Sequence, residues 1–177
     1  MQKNIYFIRH GTAIHNILYQ DLGYKAYSKF KDTSLTYKGF LEADNLSKKW
    51  IDIHKIDLVL VSPLTRTIQT CLTIFSENEN YCKNIIALDC LIEYKQGGDE
   101  ICNYRLPKSI LKKIYPNISF FIKDMFKWPE KLENYDNLKK RNKYLEEFIN
   151  SRKEENIAIV THNSFMKSFL KNDCGWS

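Results

Sequence analysis

Two short apolar runs each stop on a histidine: Ile5-Tyr6-Phe7-Ile8-Arg9-His10-Gly11, and Ile157-Ala158-Ile159-Val160-Thr161-His162 about 150 residues later. Runs of this length, rich in β-branched residues and bounded by polar ones, are expected as fully buried strands. Leu58-Val59-Leu60-Val61 and residues 85–92 have the same character. Helical spacing fills the intervals, and strands alternating with helices predict an α/β protein. The expected form is a three-layer α/β/α sandwich around a mainly parallel sheet. In such sheets ligands bind beyond the carboxyl ends of the strands, which is where both imidazoles would sit.

The chain reads as one domain over residues 1–177, long enough for a sizeable core at 44% hydrophobic content. Residues 3–9 form the first strand, followed by a basic, tyrosine-rich loop to about residue 33. Thr36 can cap a helix with Ala43, Leu46, Trp50 and Ile53 on its inward face. Ser62-Pro63 should open a helix through Phe75, with serine at the cap and proline in the first turn. Between residues 93 and 135, Gly97-Gly98, Pro107, Pro116 and Pro129 break the pattern, which reads as an irregular insertion with short helices. Leu138, Leu145, Phe148 and Ile149 mark a late helix, and a last one runs from Asn163 to about Leu170.

The five cysteines (Cys71, Cys82, Cys90, Cys102, Cys174) are odd in number, scattered and without a C-x-x-C pair. This predicts neither a disulfide framework nor a zinc site, and it favours a reducing, cytoplasmic setting. No stretch is apolar enough to span a membrane, and the first strand begins where a signal peptide would lie. The net charge of +6 suits a small anionic ligand as well as nucleic acid. The aromatic and basic run Tyr24–Lys31 resembles single-strand binders in composition only, so no nucleic-acid partner is expected.

Arg9, His10 and Gly11 place a cation, an imidazole and a backbone N–H together, which suits a phosphoryl group. Phosphoryl transfer from a phosphomonoester needs an in-line nucleophile and cations around the equatorial oxygens. Neutral His10 can attack phosphorus and become a phosphohistidine. Arg9 and Arg66 present planar forks matched to phosphate oxygens. Arg66 also lies in a helix's first turn, where the macrodipole disfavours a cation, so a ligand role explains it better than a stability role. His162, protonated once the dianion is bound, can add a third positive donor. Glu93, at a strand end, is the candidate proton donor and acceptor, with Asp99 and Glu100 as competitors. No metal and no cofactor is required.

These pieces resemble the histidine phosphatase superfamily, whose best-known branch is the phosphoglycerate mutases. The resemblance runs in order through Arg9-His10-Gly11 with Asn16, Asp32–Gly39, Ser62–Thr70, Leu91-Ile92-Glu93 and Val160-Thr161-His162. The pair His15-Asn16, with Cys102-Asn103-Tyr104-Arg105, is most similar to small eukaryotic-type phosphatase and mutase-like members. The resemblance implies hydrolysis of small phosphomonoesters through phospho-His10, with Gly11, Asn16, Ser62, Asn163 and Arg105 as substrate contacts. Mutase-type relatives are longer and carry extra loops, so phosphatase is expected before phosphotransferase. A non-hydrolysing phospho-ligand module is a third reading, but it needs neither nucleophile nor acid. Selectivity is expected from Tyr94, Lys95 and Cys102–Arg105. Cations there would favour a doubly anionic substrate, unless Arg105 pairs with Asp99 or Glu100 instead.

Overall fold

The computed structural model describes residues 2–75, 84–95, 97, 99–123 and 133–171. Five strands form one sheet: β1 (Asn4–Arg9), β2 (Leu58–Val61), β3 (Ile85–Leu88), β4 (Ser119–Phe121) and β5 (Asn156–Thr161). Their order is β1-β5-β2-β3-β4, and every adjacent pair is parallel. The last strand is thus inserted between the first two.

Alternation along the central strands sorts their side chains into two cores. Val59, Val61, Ile85, Ala87, Ala158 and Val160 face one way, against Ala43, Ile68, Cys71, Ile74, Phe75 and Leu111. These come from α2 (Tyr37–Lys49), α3 (Thr65–Phe75) and α4 (Lys108–Ile114). Leu58, Leu60, Ile86, Leu88, Ile157 and Ile159 face the other way, against Leu138, Leu145, Ile149, Phe165 and Phe169. Those belong to α5 (Tyr135–Ser151) and α6 (Asn163–Lys171). Strands buried on both faces explain why the runs read as continuous apolar segments. Three layers follow, as expected.

Four local expectations are corrected. Residues 14–28 are not loop but α1 (Ile14–Leu22) and a 3₁₀ turn, Gly23–Ser28; the apolar face of α1 is interleaved with polar residues, which hides its period. The third strand stops at Leu88 and continues as a 3₁₀ turn, Asp89–Leu91. Within 93–135, Phe120 and its neighbours form β4, an edge strand too short to stand out among the prolines. On α2, Thr36 does cap, accepting from Gly39 N, but Leu46 is 38% exposed and only Ala43 of the expected apolar face lies fully inside. Among the described residues, no helix is long and apolar enough to cross a membrane.

Candidate active site

Register brings the two histidines together. Arg9 pairs with Thr161 across β1 and β5, and His10 N–H donates to Thr161 O at 3.1 Å. The next residues, His10 and His162, therefore leave adjacent strands side by side, their rings 5.0 Å apart and edge to face. His10 Nδ1 lies 2.8 Å from Gly11 O. A carbonyl only accepts, so Nδ1 carries the proton and Nε2 keeps its lone pair. Burial, followed by the Arg66 charge, holds the His10 pKa well below the ordinary histidine value. The ring is a neutral imidazole with its nucleophilic nitrogen set by the backbone.

Arg66 stands in the first turn of α3 and is 1% exposed. Its Nη1 donates to Cys102 O at 2.8 Å and its Nη2 to Asn103 Oδ1 at 2.7 Å. Its buried Nε has no hydrogen-bond partner among the described residues. A buried guanidinium with one orphaned donor is costly unless a ligand completes it. Asn103 is held in turn by Glu100, whose Oε2 accepts from Asn103 Nδ2 at 2.8 Å.

The helix carrying Arg66 is not capped as expected. It begins at Thr65, and Asp32 caps it from another part of the chain: Oδ1 accepts from Thr65 N at 2.8 Å and Oδ2 from Thr65 Oγ1 at 2.9 Å. Asp32 adopts φ 45°, a left-handed conformation aspartate tolerates better than most residues. Ser62 instead holds His162, which is fully buried; His162 Nε2 lies 2.9 Å from Ser62 Oγ.

Glu93 sits at the amino end of α6. Its Oε1 accepts from Phe165 N and from Tyr94 N, both at 2.8 Å, and its Oε2 from Ser164 N at 3.3 Å. Burial raises its pKa despite those donors.

A cleft of about 150 Å³ opens over these groups, lined by Arg9, His10, Arg66, Glu93, Asn16 and Asn163. Glu100, Asn103, His15, Tyr24, Tyr27 and Tyr94 complete the wall with Ser164. Asn16 has a second task, since its Oδ1 accepts from Ala13 N at 2.9 Å at the start of α1. Among the described residues, no group of three or more His, Cys, Asp or Glu could hold a metal ion.

Four expected contacts are placed differently. The Gly11 N–H is not offered to the cleft; it donates to Thr70 Oγ1 at 3.1 Å. Ser62 and His162 do not line the cleft but lie beneath it. Arg105 is buried elsewhere, its Nε 2.6 Å from Asp89 Oδ1 and its Nη2 3.1 Å from Asp89 Oδ2. The pairing expected with Asp99 or Glu100 is replaced by Asp89, because the 3₁₀ turn after β3 presents that carboxylate. The sequence assigns His15 no role, and it marks Asp32 and Asn103 only as members of the Asp32–Gly39 and Cys102–Arg105 segments. His15 carries a signal, lying five residues after His10 at the start of a helix. The cap that Asp32 makes and the hold of Asn103 on Arg66 are tertiary contacts that no local pattern shows.

Comparison with known proteins gives the family and the fold. The family model of the histidine phosphatase superfamily (branch 1) matches residues 5–177. Phosphoglycerate mutase-like protein 1 of Arabidopsis thaliana is 29% identical over 213 residues, covering 97% of this chain and 73% of the relative. A probable phosphatase of Schizosaccharomyces pombe is 28% identical over 183 residues, covering 97% and 79%. The crystal structure of ecdysone phosphate phosphatase from Bombyx mori, in complex with tungstate, superposes with a TM-score of 0.65 at 16% identity, covering 97% of this chain and 80% of that one.

Proposed function

The chain belongs to the histidine phosphatase superfamily (branch 1), and from that premise we propose that it hydrolyses small phosphomonoesters through a phosphohistidine on His10. The observation that carries this reading is Arg66, a buried guanidinium whose Nε has no hydrogen-bond partner among the described residues, beside a neutral imidazole with its Nε2 lone pair free of the Gly11 bond.

The phosphoryl dianion lies between Arg66 and Arg9, with Asn16 Nδ2 as a neutral donor. His10 Nε2 attacks phosphorus in line, forming the N–P bond as the ester P–O bond breaks. Glu93, whose pKa burial raises, gives a proton to the departing oxygen. Water then attacks phospho-His10; Glu93 takes back a proton, the N–P bond breaks, and inorganic phosphate leaves. Charge balance is met by side chains, without a metal ion. His162 is neutral, its pKa lowered by burial and by Arg66; its Nδ1 accepts from Arg66 Nη2, so it holds the guanidinium from beneath the cleft and does not add the third cation expected from the sequence.

Brief incubation with phosphorus-labelled aryl phosphate, quenched in base, should leave label on His10, because phosphoramidates survive alkali. Full activity in His10→Ala, or complete loss of activity in a chelator, would overturn the reading.

A further inference from the structure

The cleft changes character from its base to its rim. His10 and Arg66 are 7% and 1% exposed, whereas Tyr24 on the same wall is 69% exposed. Tyr24 is nevertheless not loose. Its ring centroid lies 5.9 Å from that of Tyr19 and 5.8 Å from that of Tyr27. Tyr27 in turn packs 5.6 Å from His15, whose Nδ1 is bonded to Thr33 Oγ1. The result is a preformed aromatic platform with an open face beside the phosphoryl position.

We propose that Tyr24 and Tyr27 receive the alcohol half of the substrate, so that this site selects monophosphates of uncharged, ring-bearing alcohols over substrates with a second anionic group. The proposal rests on the phosphatase reading above and deepens it.

Charge on the described part of the wall argues the same way. Its cations are Arg9 and Arg66, both engaged by the phosphoryl group. A carboxylate or second phosphate on the substrate would meet the tyrosine rings and no further cation of the described wall. His15 supplies no charge there, because burial, then Arg66 and Arg9, lower its pKa to about 3. Of the two cations the sequence offers for a second anion, Arg105 is committed to Asp89, and Lys95 is fully buried with its Nζ 5.6 Å from the Tyr104 ring, outside the wall. Aromatic faces give offset stacking and apolar contact to a ring, and neither needs a charge.

Binding of non-hydrolysable phosphonates tests this without turnover. Stacking of this kind is worth about tenfold in affinity, so benzylphosphonate should bind about tenfold more tightly than methylphosphonate. Phosphonoacetate, with its carboxylate, should bind no better than methylphosphonate. Tyr24→Ala should remove most of the benzyl advantage, and Tyr24→Phe should keep it. The proposal is overturned if phosphonoacetate binds most tightly, if Tyr24→Ala weakens all three ligands alike or none, or if no ligand binds. Turnover of aryl phosphate is scored separately. Ring preference without phospho-His10 would leave the wall standing and remove the phosphatase reading, and turnover without ring preference would do the reverse.

Discussion

Arg66 Nη2 donates to His162 Nδ1 across 3.3 Å in a region closed to solvent. Because an arginine N–H can only donate, Nδ1 must accept, which puts the His162 proton on Nε2, where it is donated to Ser62 Oγ. His10 is the opposite tautomer, with its proton on Nδ1 facing Gly11 O. Two neutral imidazoles thus stand edge to face under one cation, each held by a different neighbour.

The buried guanidinium of Arg66 gives the first prediction. Inorganic phosphate or vanadate should raise the melting temperature of the wild type; a ligand at a hundredfold its Kd contributes about 2.7 kcal/mol. Arg66→Met should abolish this ligand-dependent rise and lower kcat/KM by about 10²–10³. Arg66→Lys should recover only part, since a point charge cannot reproduce the fork. Equal stabilisation of wild type and Arg66→Met by phosphate, read by thermal unfolding, would show that the guanidinium does not meet the ligand.

Much of this site was legible because strand ends and turn starts are local in sequence. His10, His162, Arg66 and Glu93 each follow a short apolar run, and parallel pairing of those runs converges them. What the sequence could not show were side chains whose partners lie far along the chain. Ser62 looked like a cap, but Asp32 holds that helix start. Arg105 looked free to reach a substrate, but Asp89 claims it. β4 has three residues, too few for alternation to register against flanking prolines.

Acid should probe the buried histidines. A histidine with a lowered folded pKa binds fewer protons folded than unfolded, so its contribution is present above the unfolded value near 6.5 and is lost as pH falls. For His15 the loss continues to about 3, with a slope of about 1.4 kcal/mol per pH unit. His15→Asn, which keeps an acceptor or donor near Thr33, should flatten the pH dependence of unfolding free energy by about that slope between pH 6 and 4. The raised carboxyl of Asp32 acts in the opposite sense but is common to both proteins, so it cancels in the comparison. Parallel curves from denaturant titrations would contradict a neutral, buried His15.

Glu93 carries two tasks that one substitution can separate. As the acceptor for Phe165 N and Ser164 N it holds the start of α6, so Glu93→Gln should cost about 1 kcal/mol of stability, as other N-terminal acceptors do. As proton donor it matters most for poor leaving groups. Phosphorylation of the enzyme by alkyl phosphates should therefore slow by about 10²-fold or more, and by aryl phosphates far less. Stopped-flow release of the alcohol gives the comparison. Equal slowing with both substrate types would assign Glu93 to structure alone and turn attention to Glu100, which shares the cleft wall.

Arg105 should behave as a structural residue. Its side chain is 1% exposed and forks onto Asp89, which is 18% exposed; its Nη2 also donates to Lys123 O at 2.7 Å. That links the turn after β3 to the end of β4. Removing one partner of a buried pair typically costs about 3–5 kcal/mol, so Arg105→Ala should lower the denaturant midpoint sharply. KM for 3-phosphoglycerate and for phenyl phosphate should move together or not at all. A selective rise for the doubly charged substrate would restore Arg105 to the site.

The tightest backbone approach in the site predicts its most indirect defect. A Cβ on Gly39 would lie 2.2 Å from Thr12 O, and one on Gly11 would lie 2.4 Å from Gly39 O. Helix α2 therefore crosses the segment after His10 backbone against backbone. Thr36 N donates to Thr12 O, and Thr12 N donates to Glu42 Oε2 at 2.8 Å, so the crossing is pinned on both sides. Gly39→Ala must push Thr12 away, and Gly11 with it, whose carbonyl sets the His10 proton. Overpacking of this kind costs about 1–3 kcal/mol, and displacing a nucleophile by an ångström can cost about 10²-fold in rate. Gly39→Ala, assayed well below its melting temperature, should show kcat reduced more than KM is raised, because phosphate contacts from Arg66 remain. A lowered melting temperature with kcat unchanged would mean that the crossing supports the fold without aiming His10.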